Sequence, residues 1–331
     1  MSVASGIPDF RSSDGLYATL DASTLTATEE QRERIKNEPS YSLDQHLFLE
    51  NPLPCLEVNR EFILGVKERK WKATLTHRFV EMLRTKFRST DGKGKLVRLY
   101  TQNIDGLEDQ CEGIGHRRRI AVHGSMDEAH CAVCHATMDF DSFCEKVRCQ
   151  IKDIKGQDPN APRESTAIRC ESCGRNTVKP SIVLFRSKLP KVFFKKVPKD
   201  VEKVDLLIVL GTSLAVAPAN SIVWRVPKSA MRVLINRESV GWQVGLDCHR
   251  NDRDFLARGD CENVVLDLME KLGWLDDLWP LLEKNELPES SAALLRQRLE
   301  NSTKEDSSQG DLKPAAVAKV AQGQPKEDTA L

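Results

Sequence analysis

Residues 204–213 read Val-Asp-Leu-Leu-Ile-Val-Leu-Gly-Thr-Ser, a nearly continuous apolar run closed by a glycine and two hydroxyl residues. An apolar run without alternation is a strand covered on both faces, which is the condition of a parallel sheet. Met231–Asn236 has the same character, and Lys95–Thr101, rich in Val, Leu and Tyr, reads as a third strand. Between and after them the period changes. Asn220–Val226 follows Pro218 as a short helix, and Glu262–Leu272 repeats Val264, Leu268 and Leu272 at i, i+4, i+8. Strand, polar turn, helix, strand is the order of an α/β doubly wound sheet.

Outward from this region the chain turns helical. Glu29–Asn37 is charged, Pro54–Val66 carries Leu56 and Phe62, and Thr76 is placed to cap His77–Phe87, where Phe79, Met82, Leu83 and Phe87 recur at helical spacing. Arg88–Gly94 breaks that helix, and Ser5–Arg11, with Gly6 and Pro8, is a loop. After Leu282 the composition becomes polar. Ser290–Asn301 reads as one exposed amphipathic helix and Ser302–Leu331 as a disordered tail. No internal repeat is present.

Bulk composition excludes some classes of function. The 331 residues carry 49 Lys and Arg against 49 Asp and Glu, so bulk electrostatics does not hold a polyanion and no direct nucleic-acid binding is expected. The densest apolar run, Leu206–Leu210, is strand-sized, far short of a membrane span. Asp9 and Arg11 stand where a signal peptide needs apolar residues, so a soluble, intracellular protein is expected, with no membrane partner.

Ten cysteines without an export signal do not suggest a disulfide framework. Cys131-x-x-Cys134 and Cys170-x-x-Cys173 put two thiol pairs on two tight knuckles, a soft tetrahedral donor set that suits one Zn²⁺. Four protein ligands leave zinc no open position, so the metal is expected to be structural. His130 and His135 flank the first pair and are expected to be bystanders, while Cys55, Cys111, Cys144, Cys149, Cys248 and Cys261 are expected as reduced, small hydrophobic residues. Residues 125–180 read as a small module inserted into the larger domain.

Three polar clusters directly follow predicted strands: Thr101-Gln102-Asn103-Ile104-Asp105, Gly211-Thr212-Ser213 and Asn236-Arg237-Glu238. Each alone is equally a capped turn. Together they sit where an open parallel sheet binds ligands, outside the carboxyl ends of its strands.

These clusters, with Gly6-Ile7-Pro8-Asp9-Phe10-Arg11-Ser12, His123-Gly124-Ser125, Val178-Lys179-Pro180, Gly211-Thr212-Ser213-Leu214, Ile235-Asn236-Arg237 and the two Cys-x-x-Cys pairs, resemble the sirtuins, NAD-dependent protein-lysine deacylases. All stand in family order over about residues 1–283, closest to the cytosolic and nuclear deacetylase branch. The resemblance implies a Rossmann-like doubly wound parallel sheet with a smaller zinc-ribbon plus helical domain. The large NAD-binding part would be about 1–20, 76–124 and 178–283, the helical part about 21–75 and the zinc module about 125–177, with 284–331 as the tail.

The resemblance further implies NAD⁺ as co-substrate and an acetylated protein or peptide, histone or non-histone, as partner. The products would be deacylated protein, nicotinamide and O-acyl-ADP-ribose, made in cytoplasm or nucleus. His123 would be the base, since an imidazole titrates near the working pH; on its own, a His-Gly pair is a capped loop. Asn103 would hold the ribose and a water, Gln102 and Ile104 would line the cofactor, and Asp105 would orient the nicotinamide amide. Asp9, Phe10 and Arg11 would form the cofactor loop, with Phe10 shielding the reactive sugar. Gly211, Thr212 and Ser213 would bind phosphate or ribose, Asn236, Arg237 and Glu238 the adenosine ribose, and Cys261 would lie near adenine. The peptide would add as an extended strand between 182–187 and 214–217, with Val183, Phe185, Arg186, Ala215 and Val216 as contacts.

The chain also departs from the family. The first strand and Gly-Ala-Gly turn expected before Ser2 are absent, which removes amides that approach the pyrophosphate and would leave two neighbouring strands without a ladder partner. An incomplete gene product or an alternative start is the expectation this raises. Arg186 and Ser187 stand where Gly-Glu is usual, Ser181 where Asp is usual, and Ala121 where an acidic residue is common. Arg186 with Lys188, Lys191, Lys195 and Lys196 makes a basic stretch that is either a solvated face or a determinant of acyl or peptide preference. Alternatives to deacylation are ADP-ribosyl transfer or NAD hydrolysis in the same pocket, a degenerate zinc scaffold without NAD, and a zinc-ribbon nucleic-acid binder.

Overall fold

A computed structural model of the chain describes residues 1–9, 15–89 and 95–309. Its amino-terminal part is helical: α1 (Leu16–Thr19), α2 (Glu29–Asn37), α3 (Gln45–Glu50), α4 (Leu53–Lys67) and α5 (Leu75–Ser89). Side-chain caps set the starts of α2 and α3. Thr28 and Gln31 form a reciprocal capping box on α2, and Asp44 accepts the His46 and Leu47 amides at α3. At α5 the cap lies earlier than the sequence suggests. The helix begins at Leu75, Thr74 bonds the ring of His77, and Thr76 is buried in the first turn with its hydroxyl unpartnered.

Among the described residues, eight strands follow, in three sheets. Strands β1 (Leu99–Thr101) and β2 (Arg119–Ala121) pair in parallel. The antiparallel sheet has β3 (Gly124–Cys131) between β4 (Thr137–Met138) and, after helix α6 (Phe140–Gln150), β5 (Val178–Ile182). Helix α7 (Lys191–Val201) then leads to β6 (Leu206–Leu210), and α8 (Ile222–Arg225) leads to β7 (Met231–Asn236) and β8 (Asp254–Arg258). These last three strands form a parallel sheet in the order β6-β7-β8. Helices α9 (Cys261–Lys271), α10 (Trp279–Glu283) and α11 (Glu289–Gln309) close the described chain.

Helices lie on both faces of the parallel strands, as a doubly wound sheet requires. Phe79 and Met82 of α5, Val265 and Met269 of α9 and Leu295 of α11 share one core with Ile235. On the other face Phe193 and Val197 of α7 pack with Ile120, Val122 and Val226. Buried Arg232 binds Asp254 through two 2.6 Å contacts and ties β7 to β8.

The smaller part unites helices and zinc module. Leu56 and Ile63 of α4 share a core with Phe143 and Val147 of α6, Met126 of β3 and Val178 of β5. Polar links cross the same boundary. Buried Glu57 accepts from the Thr26 amide and the Ser165 hydroxyl, and Arg60 reaches Asp158 at 2.7 Å and the Ile151 carbonyl at 2.8 Å.

Three expectations change. The strand expected over Lys95–Thr101 is confined to Leu99–Thr101. The segment 284–309 is no disordered tail: α11 runs through it, and Ala292 and Leu295, one helical step apart, bury against the α5–α9 core, so the helix read as exposed over 290–301 is packed. The polar composition concealed one narrow apolar stripe, which is all a helix needs to dock. Residues 310–331 lie outside the described residues. Of the six scattered cysteines, Cys149 is exposed.

Candidate active site and metal centre

The four cysteines of the two Cys-x-x-Cys pairs converge, their sulfurs within 4.8 Å of one another. Cys131 and Cys173 are 3.7 Å apart and Cys134 and Cys170 3.6 Å. A disulfide is near 2.05 Å. The edge of a tetrahedron with Zn–S arms of 2.3 Å is about 3.8 Å, so the four thiols fit a zinc ion and not a pair of bridges. Electrostatics agrees. Burial opposes ionisation of Cys131, but the Thr177 hydroxyl and the Cys134 and Val133 amides outweigh it and bring the thiol down to about 6. Cys170 is lowered by the Cys173 amide, while the surrounding sulfurs push Cys134 up to about 12 despite the Ala136 amide. A cation between the four sulfurs would remove the mutual repulsion that keeps Cys134 protonated. His130 bonds Ser181 at 2.8 Å and is not among the four converging ligands.

The second site lies at the carboxyl ends of β1, β6 and β7. Thr212 donates to Gln102 Oε1 at 3.0 Å, joining the residues that follow β6 and β1. Asn103 donates to the Ser2 hydroxyl at 2.9 Å, and that hydroxyl donates to Asp105. Ile104 is joined to β3 by the Met126 amide, which bonds its carbonyl. Glu108, one turn past Asp105, is buried; Thr101 bonds its carboxyl, yet Oε2 has no protein partner. Burial, then the neighbouring Asp105 charge, pushes Glu108 up to about 7, and burial raises Asp105 as well. Gln102, Asn103, Glu108, Gly211, Thr212 and Ser213 line one cavity of about 700 Å³.

His123 stands at the rim of this cluster. Its Nδ1 is 3.0 Å from the Gln102 carbonyl, which only accepts, so Nδ1 carries the hydrogen and Nε2 is the free lone pair of the neutral ring. Burial lowers its pKa, partly offset by that carbonyl. Gly124 beside it is at φ +77°, and a Cβ there would meet the Ser181 carbonyl oxygen at 1.9 Å. The glycine of the His-Gly pair is thus required by the β3–β5 approach.

Other candidates are placed less centrally. Asn236 caps its own turn through Glu238, Arg237 pairs with Asp260, and the Cys261 sulfur lies 3.1 Å from where a Cβ on Gly211 would stand. The Asp9 carbonyl accepts the Leu16 amide, and Phe10 and Arg11 lie outside the described residues. The Val183 amide bonds the His123 carbonyl, which puts this segment next to the imidazole. Phe185 uses both its amide and its carbonyl on Leu43 and Gln45, so its backbone is not open to a peptide strand. Arg186 is left-handed at φ +67° and pairs with buried Asp44 at 3.2 Å. Ala215 and Val216 lie in the loop after β6, where the Ser213 hydroxyl and the Asn220 amide meet their backbone.

Ser2 and Glu108 belong to the cluster but were not singled out in the sequence. Glu108 follows the Asn-Ile-Asp-Gly-Leu run and shows as part of the site only once its burial is known. Ser2 has no local signal, because its partners are about a hundred residues away.

Comparison with known proteins agrees with this geometry. The Sir2 family model matches residues 1–218. NAD-dependent deacetylase sir2D of Dictyostelium discoideum is 35% identical over 276 residues, 83% of this chain and 43% of that protein. NAD-dependent protein deacetylase hst2 of Schizosaccharomyces pombe is 33% identical over 284 residues, 86% of this chain and 72% of that protein. NAD-dependent protein deacetylase sirtuin-1 of Rattus norvegicus is 34% identical over 275 residues, covering 82% and 42%. The chain therefore spans less than half the length of two of these three relatives. A family match over most of the chain, together with the thiol tetrahedron and the polar cluster at the strand ends, establishes that the chain belongs to the Sir2 family.

Proposed function

We propose that the chain is an NAD-dependent protein-lysine deacylase, with deacetylation as the reaction its relatives' names point to. The observation that carries the reading is His123. Its Nδ1–H is anchored on the Gln102 carbonyl, and burial keeps it neutral, so Nε2 is a base at neutral pH beside a cluster of ribose- and amide-binding groups.

NAD would supply an electrophilic ribose carbon with nicotinamide as leaving group. The orphaned Glu108 oxygen and the Asn103 and Asp105 side chains, held by one serine hydroxyl, fit the hydroxyl and carboxamide groups of such a ligand. In this reading Asp105 accepts from the carboxamide, Asn103 orients the ribose and a water, and Gly211, Thr212 and Ser213 hold phosphate or ribose. His123 Nε2 takes the proton of a ribose hydroxyl, and Gln102 fixes the ring for that transfer. Asp9, Phe10 and Arg11 act as the cofactor loop, and Asn236, Arg237, Glu238 and Cys261 serve the adenosine end. The zinc, with no open position, holds the small domain together.

The substrate is an acetylated lysine in a histone or another protein, read by side-chain contacts from Val183, Phe185 and Arg186 on one side and by Ala215 and Val216 on the other. The six cysteines outside the zinc site, none in a disulfide, fit the reducing cytoplasm or nucleus. No helix among the described residues is long and apolar enough to cross a membrane. Replacing His123 with Ala tests the reading. Turnover of an acetyl-lysine peptide is expected to fall about 10²–10⁴-fold while NAD affinity changes little; undiminished turnover refutes the assigned base.

A further inference from the structure

The basic stretch that follows the candidate substrate segment has no part in the chemistry described above. Arg186 opens it, half-exposed and paired with Asp44 at 3.2 Å. Lys188 follows, and α7 then carries Lys191, Lys195, Lys196 and Lys199. This helix docks through Phe193, Val197, Asp200 and Val201, which are buried. Phe193 meets Tyr100 edge to face at 6.0 Å, and Asp200 takes Arg98 at 2.7 and 3.1 Å. At 3.6 residues per turn, that docking turns Lys191, Lys195 and Lys199 to the opposite face, in one row at i, i+4 and i+8. All three are exposed.

The charge on this row is uncompensated. Asp200, the one acid within α7, is buried and taken by Arg98 and Tyr100, with Lys196 acting on it as well. Lys188, Lys191, Lys195 and Lys199 meet no carboxylate among the described residues, although the whole chain balances 49 basic against 49 acidic side chains. Apolar surface lies in the same region. Phe194 of α7 is 55% exposed and Trp224 of neighbouring α8 is 57% exposed, with the Arg225 guanidinium 5.0 Å from the indole centre. Cations and aromatic rings exposed together suit an anionic segment that also carries an apolar residue.

We propose that the row Lys191, Lys195 and Lys199 docks an extended acidic segment of the protein substrate, to one side of the acyl-lysine. Three features select this occupant. A face that is cationic throughout repels a second copy of itself, which disfavours self-association here. Lysines four residues apart rise about 6 Å along the helix, and every second residue of an extended chain repeats at about 6.6 Å, so Asp or Glu at alternate positions meets one lysine each. The row also continues the candidate substrate segment. The Val183 amide bonds the His123 carbonyl, and Arg186 and Lys188 lead along the chain from there to α7. The proposal rests on the deacylase reading for the lysine, but not for the docking itself. It sorts substrates by charge: acidic flanks are favoured, and flanks rich in lysine or arginine are repelled.

Two measurements on the full chain separate docking from catalysis. The first is fluorescence anisotropy of a labelled peptide without lysine, Glu-Ala-Glu-Ala-Glu-Ala-Phe, and needs no NAD. Binding is expected to weaken with salt and to fall about tenfold in the combined variant Lys191→Gln, Lys195→Gln and Lys199→Gln, the equivalent of three exposed ion pairs. The same change at Lys36, Lys271 and Lys284, exposed elsewhere, removes equal charge and should leave binding unaltered. The second is steady-state deacetylation of acetyl-lysine peptides flanked on either side by alternating Glu, Gln or Lys. Glu on one side is expected to lower KM about fivefold against Gln at unchanged kcat, an advantage lost in the row variant, and Lys on that side to raise KM. No binding by the parent chain, equal loss in both combined variants, or one KM for Glu and Gln flanks overturns the inference and leaves the deacylase reading intact. Row-dependent binding with no peptide deacetylated supports the docking row and refutes that reading. Tighter row-dependent binding of a twelve-nucleotide single-stranded DNA, or of phosphatidylserine vesicles, also overturns the inference, because the occupant is then a phosphate-bearing surface.

Discussion

Glu108 puts a measurable pH signature into the site. Its folded-state pKa, about 7, lies above the 4.5 of an ordinary glutamate. Between these values the folded protein holds a proton that the unfolded chain has released, so the stability this group contributes is present at low pH and is lost as pH rises through that window. Asp105 reinforces the shift, and Arg119 and the Thr101 hydrogen bond oppose it. Glu108→Gln is therefore expected to raise the melting temperature relative to the parent chain more at pH 8 than at pH 5. An equal difference at both pH values would remove Glu108 as the titrating group. Gly124 makes a steric prediction. With φ at +77° and a carbonyl oxygen 1.9 Å from the added methyl, Gly124→Ala should cost about 2 kcal/mol or more in denaturant unfolding. A loss under 0.5 kcal/mol would mean that β3 and β5 are not so closely apposed.

At the scale of elements, two packing units carry separate consequences. The zinc knuckles close the small domain, where the buried Cys131 and Cys170 share a core with α4 and α6. Chelating zinc should abolish exchange protection in α6 and β5 first, with β7 and β8 protected longest, because Arg232–Asp254 and the second core do not involve the metal. Loss of protection everywhere at once would show one cooperative unit. Helix α11 is the other. Leu295, fully buried under α9, should cost about 2–5 kcal/mol when changed to Ala; a loss within 0.5 kcal/mol would return this helix to the exposed surface the composition suggests.

Over the whole molecule, legibility followed the range of the interactions. Met231–Asn236 was readable to the residue, because a run apolar but for Arg232 and ending in Asn carries its own boundaries, and so were α2 and the zinc ligands, whose signals are local. The cap of α5 was misplaced by two residues because Thr74 and Thr76 both suit the role and are equally buried, and only the folded contacts, Thr74 on the His77 ring and Thr76 without a partner, separate them. Strands β3 to β5 were not anticipated, since Gly-Ser-Met-Asp-Glu-Ala-His-Cys has no strong alternation and its pairing depends on distant partners. In the site, the clusters after β1, β6 and β7 were foreseen from position. Their joining through Ser2 and through Gln102–Thr212 was not, because those contacts span about a hundred residues.

The central claim is that this cleft couples cleavage of NAD to removal of an acyl group from lysine with His123 as base. The most direct measurement is mass spectrometry of the small-molecule products after incubation of the chain with NAD and an acetyl-lysine peptide. One O-acetyl-ADP-ribose per nicotinamide released is the predicted result, abolished in His123→Ala. Nicotinamide with free ADP-ribose and an untouched peptide, or equal product from His123→Ala, would contradict it.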